Sequence, residues 1–192
     1  MALTTSGVVD AATLGQVRDA LTGMPALYRA LWRAAQYHFH VIGWSPHDVA
    51  DVVERELRAR TRGAFIVNHQ AAYVFLPNIR DVHDARSTAV EEVAHGLDRL
   101  LGVVHGLEGV VTGRLPSDTV ARSNQTDFRA LWEQRKNRST IPRRSRQDER
   151  ELFAFAMVRT YGYADTMERD DPALYHFVTR LEMEMMAHAG PI

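Results

Sequence analysis

Within residues 84–101 the apolar side chains Val90, Val93, Leu97 and Leu101 recur at steps of three and four, a period that fits one stripe of an α-helix and not a strand. Such a helix packs by that stripe and turns its other side to a cleft or to water. Residues three and four apart stack on one helical face, so Glu91, His95 and Asp98 share a second stripe, roughly opposite the apolar one. Gly102 is a natural stop for the helix.

Upstream, apolar residues at helical spacing run through 11–37 with a break at Pro25, which suits the start of a second helix. A helical hairpin or a kinked helix is expected there. HFHVIGW, residues 38–44, alternates like a short strand, and Ser45 and Pro46 then open a helix reaching about Arg60. GAFIVNHQAAYVFLP, residues 63–77, reads as two β-rich runs separated by Asn68, His69 and Gln70. Residues 103–123 are rich in Gly, Pro and Ser and read as irregular. A helix over 127–135 leads into the basic run QRKNRSTIPRRSRQ, read as a mobile loop; residues 148–161 are helical again, and a last amphipathic helix follows Pro172.

With 192 residues, 45% of them hydrophobic, the chain suffices for one α+β domain with a full core. It divides into an N-terminal helical part (1–62), a core (63–163) and a C-terminal helix (164–192). The absence of cysteine excludes disulfides, thiolate metal sites and a cysteine nucleophile, so any metal must be held by nitrogen and oxygen. A formal net charge of -1 gives no global attraction to nucleic acid or anionic membrane. Without a basic, apolar leader or a long apolar run, the expected location is the cytoplasm; export without a cleaved signal would leave the same sequence.

The stretch TAVEEVAHGLDRLLG, 88–102, would read HExxH if Glu91 were histidine. From spacing alone, an outer helical face carrying Glu, His and Asp is ordinary. The stretch nevertheless resembles the active-site helix of zincin metallopeptidases with the motif HExxHxxD, in particular the family of the anthrax lethal factor catalytic domain. RELFAFAMVRTYG, 150–162, is similar to that family's helix carrying the third ligand, and GAFIVNHQAAYVFLPNI resembles the strands before the motif helix. The resemblance spans about 63–163 and implies a zincin-like fold. It makes Glu91, His95 and Glu151 the metal ligands, Glu92 the general base, and Asp98 a residue orienting a ligand from behind or capping local structure. It also implies that the motif helix and the 150–161 helix face one another across a cleft floored by the strand 71–76.

Two departures from the family pattern shape the expected chemistry. One imidazole and two carboxylates leave the ion's surroundings less positive than two imidazoles and one carboxylate, so a bound water is less acidified. Zinc comes first, and the harder, oxygen-rich set also admits manganese or iron(II). The family's tyrosine before the third-ligand helix is replaced by PRRSRQDERE, where Arg143 or Arg144 could polarise a carbonyl or bind a carboxylate; Phe155 stands where a second acidic residue would follow.

Other signals compete. His38 and His40 share one face if 38–44 is a strand, and His47, His69 or His83 could complete a triad, but paired histidines are common without a metal. His69 and, on the C-terminal helix, His176 are further candidates to reach the cleft. The run 135–146 with Trp132 could contact phosphates, though no nucleic-acid module accompanies it; a solvated loop or a clamp over an acidic substrate is more economical. Met183, Met185 and Met186 read as adaptable core packing. The leading expectation is a metal-dependent peptidase or amide hydrolase acting on a peptide or amide substrate. The alternatives are a silent relative that binds peptide or protein, and a non-hydrolytic biosynthetic metalloenzyme on the same scaffold.

Overall fold

The computed structural model describes residues 1–44, 60–103, 121–162 and 166–189. Four strands, β1 (Leu3–Ser6), β2 (His38–Ile42), β3 (Gly63–Ile66) and β4 (Ala71–Phe75), form one sheet in the order β1-β2-β4-β3. β1 and β2 pair in parallel, as do β2 and β4, whereas β3 runs antiparallel to β4 at the edge. Parallel neighbours need a crossing connection. Helices α1 (Ala11–Gly23) and α2 (Ala26–Ala34) provide it between β1 and β2, and Pro25 occupies the N-cap of α2, so the expected break falls between two separate helices. The first 62 residues are therefore not only helical: they contribute two of the four strands.

The register sorts the sheet's faces. Phe39 opposite Ala72 and Val41 opposite Val74 point into the main core, while His40 opposite Tyr73 and Ile42 opposite Phe75 occupy the other face. Across the main core lies α3 (Val82–Val103), the expected helix extended by two residues at each end. Ala85, Ala89, Val90, Val93, Leu97 and Leu100 on it are fully buried. Gly96 is where Trp32 crosses the helix, since a Cβ there would stand 2.5 Å from the indole and 2.8 Å from the Phe65 ring. The polar stripe of α3 is turned to a cleft, one of the two settings its period allows, and not to open water. Glu92 and Asp98 are 4% and 1% exposed, because β3 and the segments after residue 120 cover that side.

Helix α4 (Thr126–Arg135) ends on a buried arginine. Arg135 donates from Nε and Nη2 to the two carboxylate oxygens of Asp171, at 2.6 and 2.8 Å. The basic run after it is a series of hydrogen-bonded turns, not the loose loop its composition suggests, with Ile141 and Ser145 buried. It leads into α5 (Glu149–Met157), which passes at Val158–Gly162 into a π-helical turn whose last carbonyl accepts from Arg86 Nε at 2.9 Å. Helices α6 (Met167–Asp170) and α7 (Pro172–Ala189) complete the described residues. Met183 is 61% exposed and so does not pack the core. The helix expected from Ser45 to about Arg60, with His47, and most of the irregular stretch 103–123 lie outside the described residues. Among the described residues, no helix is long and apolar enough to cross a membrane.

Candidate metal centre

Glu91 and His95 lie one turn apart on α3, and Glu151 lies in the first turn of α5. The N-cap Asp148, which accepts from the Arg150 N–H at 2.8 Å, fixes the start of α5. The two helices pack on each other and bring one donor atom from each of Glu91, His95 and Glu151 within 4.8 Å of the others. His95 Nε2 is 3.9 Å from Glu151 Oε1. All three side chains are mostly covered, with 24%, 17% and 15% of their surface exposed. A neutral imidazole and two carboxylates fit a divalent cation in a chain without thiolates.

One cation already competes for these carboxylates. Arg144 donates from Nη1 to Glu91 Oε1 at 3.1 Å, and its Nε lies 2.6 Å from Glu151 Oε2. The turns after Pro142 aim it there, and its side chain stays 65% exposed. Arg143 is exposed and does not line the cleft, and His176 lies exposed on α7, its ring against Tyr175. Of the three residues expected to meet substrate, the structure brings Arg144 alone to the centre.

The centre sits in a cleft of about 460 Å³ between α3 and β3. The strand along this cleft is β3, not the 71–76 run. β4 lies inside the sheet with all five residues buried, whereas Gly63, Ala64 and Phe65 of the edge strand line the opening. The Arg62 carbonyl accepts from the Phe75 N–H at 2.8 Å, with Gly63 opposite Val74. Antiparallel alternation then directs the backbone groups of Gly63 and Phe65 to the open edge. Phe65 accordingly donates a backbone hydrogen bond to Glu92. Gly63 permits this close approach, because a Cβ there would lie 2.6 Å from Thr88 Cγ2 and 2.7 Å from Glu92 Cγ. A glycine opening a strand is the one sequence signal for this contact.

Burial dominates the electrostatics. It pushes the Glu92 carboxyl well above the usual range, helped by the neighbouring Glu91 charge. Burial also raises Glu91 and Glu151, and Arg144 partly offsets both. His95 is lowered to about 4 by burial and by Arg144 and Arg150, so its imidazole is neutral at physiological pH and keeps a lone pair for a metal. Asp98 is raised to about 6, again by burial. Its oxygens accept from Ser123 N–H and Oγ–H, at 2.6 and 2.7 Å, so it ties the turn at 121–125 to α3 at the cleft wall. Nothing in the sequence marks Ser123 as its partner.

The rival histidines sit elsewhere. His38 and His40 share a face, with rings 6.1 Å apart, but that face is turned away from α3; His40 stacks on Tyr73, whose hydroxyl lies 3.2 Å from His69 Nδ1. Among the described residues, Glu91, His95 and Glu151 are the group placed to hold a metal. Fold and site together define an α+β protein, mostly helical with a small sheet, carrying a Glu/His/Glu group that could hold a metal ion. Comparison of the sequence with protein-family models and with curated proteins finds no match.

Proposed function

We propose that the chain is a metal-dependent hydrolase of the zincin peptidase or amidase type, with Glu91, His95 and Glu151 as the ligand set and Glu92 as the general base. The observation that carries this reading is the convergence of the three donors within 4.8 Å at a cleft where Glu92 is buried beside them. When bound, a divalent cation supplies Lewis-acid activation of a carbonyl and of water. Zinc is the first expectation, and the two carboxylates also suit manganese or iron(II).

The chain's own residues do the rest. The outward backbone groups of Gly63 and the outward carbonyl of Phe65 offer an extended peptide a ladder to pair with. Glu92 is placed to take a proton from the attacking water and pass it to the departing nitrogen, and burial, by raising its carboxyl, makes it the stronger base. The Phe65 N–H holds its carboxylate in place. Arg144 is the cationic side chain positioned to polarise a carbonyl or pair with a substrate carboxylate.

Arg144 also favours a second reading, a silent relative that binds peptide without cutting it, because its guanidinium already satisfies Glu91 and Glu151. Elemental analysis of dialysed protein decides between the two. About one equivalent of metal in wild type, lost in His95→Ala and Glu151→Gln, supports the hydrolase. Failure of wild type to bind zinc, manganese or iron(II) supports the silent module.

A further inference from the structure

The cleft does not end at Glu92. On the Glu91 side it continues along the start of β3, where Arg60, Arg62 and Arg144 line it beside Glu91 and Glu92. A depression sharing Arg60 and Arg62 adds Arg80. Arg60 is exposed, and the side chains of Arg62 and Arg80 are 42% and 75% exposed. Both pair with Asp84, which is buried beneath them. Of the other acids at this end, Asp81 accepts from the Asp84 N–H at 2.8 Å and adds its charge at Arg80, while Glu91 is paired with Arg144 and Glu92 is buried. Among the described residues, three guanidinium groups thus line this end of the cleft, two of them paired with one buried carboxylate, in a chain whose overall charge is slightly negative.

From this charge distribution we infer that the substrate is acidic, and that Arg60, Arg62 and Arg80 receive its carboxylates where it leaves the centre on the Glu91 side. The inference deepens the hydrolase reading and rests on it only for the statement that the bound peptide is cut. A peptide suits the site because the outward backbone of Gly63 and the outward carbonyl of Phe65 can pair with an extended chain, and guanidinium groups bind carboxylates through paired N–H donors. A single strand of nucleic acid would need stacking platforms, and among the described residues no aromatic side chain lines this end. Engagement of a carboxylate by Arg62 or Arg80 leaves Asp84 its second arginine, so the buried acid keeps a partner throughout.

The test uses the full chain carrying Glu92→Gln, to prevent turnover, and labelled peptides of one sequence differing only in whether two positions are Glu, Gln or Lys. Each is made with a free carboxyl terminus and as the amide, and binding is read by fluorescence anisotropy. The Glu peptide is expected to bind about tenfold more tightly than the Gln peptide, as a pair of exposed ion pairs allows, with the Lys peptide weakest. The double variant Arg60→Gln/Arg80→Gln, which keeps the Arg62–Asp84 pair, should lose that preference while its circular dichroism is unchanged. A preference seen only with free carboxyl termini assigns the carboxylate to the peptide end and sustains the inference. Equal binding of Glu and Gln peptides, a preference that survives in the double variant, or tighter binding of single-stranded oligonucleotide at the same salt overturns it. Metal content measured on the same preparations separates the two readings. An acidic preference without bound metal keeps the ligand class and removes the hydrolase, whereas bound metal without a preference does the reverse.

Discussion

Replacing Arg144 by alanine should tighten metal binding, although it removes two ion pairs from the site. The guanidinium and a divalent cation compete for the same carboxylates, Glu91 and Glu151. Because the Arg144 side chain is 65% exposed, each pair falls in the solvent-screened class worth about 0.2–1 kcal/mol. Giving up both costs a metal-binding event about 0.4–2 kcal/mol, so Arg144→Ala should lower the Kd by roughly two- to thirtyfold. Removing a positive charge beside the centre acts in the same direction, and both contributions shrink as salt rises. The assay is competition with a chromophoric chelator at low and high ionic strength, with Arg143→Ala as the exposed control that should not change. Unaltered or weaker metal binding by Arg144→Ala would refute the competition. The arginine would then act with the cation, not against it.

Three further outcomes are expected. Gly63→Ala pushes β3 off α3 at Glu92 and should destabilise by about 1–3 kcal/mol as overpacking does; kcat should fall further than the change in thermal midpoint explains, and a variant unchanged in both would show that the strand yields freely. Arg135→Met leaves the mostly buried Asp171 uncompensated and should cost about 3–5 kcal/mol in urea unfolding; a loss below about 1 kcal/mol would mean that water or Arg138, 3.5 Å from the same carboxylate, replaces it. In metal-free protein, Asp98 and His95 should give opposing pH slopes. Raised to about 6, Asp98 holds its proton longer in the folded state, so its contribution falls as pH climbs from about 4 to 6, by about 3 kcal/mol in all. Lowered to about 4, His95 resists protonation when folded, so stability falls as pH drops from about 6.5 to 4. Asp98→Asn should therefore make stability rise more steeply with pH across that range and His95→Gln less steeply; equal slopes in both variants would contradict the assignment.

The readable parts of the fold were those where one short-range pattern decides the outcome. Val90, Val93 and Leu97 fix the face of α3, and Pro25 fixes the break between α1 and α2. β1 was not readable, because LTTS has one partly buried residue and owes its extended form to pairing with β2. The strand beside the cleft is hidden from the sequence for a related reason: the stronger apolar run is β4, and strength of apolar character marks the sheet interior, while the edge belongs to the weaker GAFI. In the candidate site, spacing placed Glu91 and His95 on one face, and the resemblance supplied Glu151. Choosing Arg144 over Arg143 was beyond the sequence, since the turn after Pro142 decides which guanidinium faces inward. Arg135 looked like one more surface charge because its partner, Asp171, lies 36 residues away.

The anchoring of the basic turns has a kinetic side. Arg135 holds their beginning to Asp171, the Ser145 hydroxyl donates to the Glu151 carbonyl at 3.1 Å, and Trp132 Nε1 donates to the Ser145 carbonyl at 3.3 Å. The backbone under Arg144 is thus pinned on both sides, and the side chain leaves Glu91 and Glu151 by rotating its own bonds. Exposed side chains change rotamer within picoseconds to nanoseconds, about a thousandfold or more faster than collective loop motions. Cation uptake should therefore be a single second-order phase, linear in metal concentration and without a slow plateau: the gate is a side chain that turns, not a loop that opens.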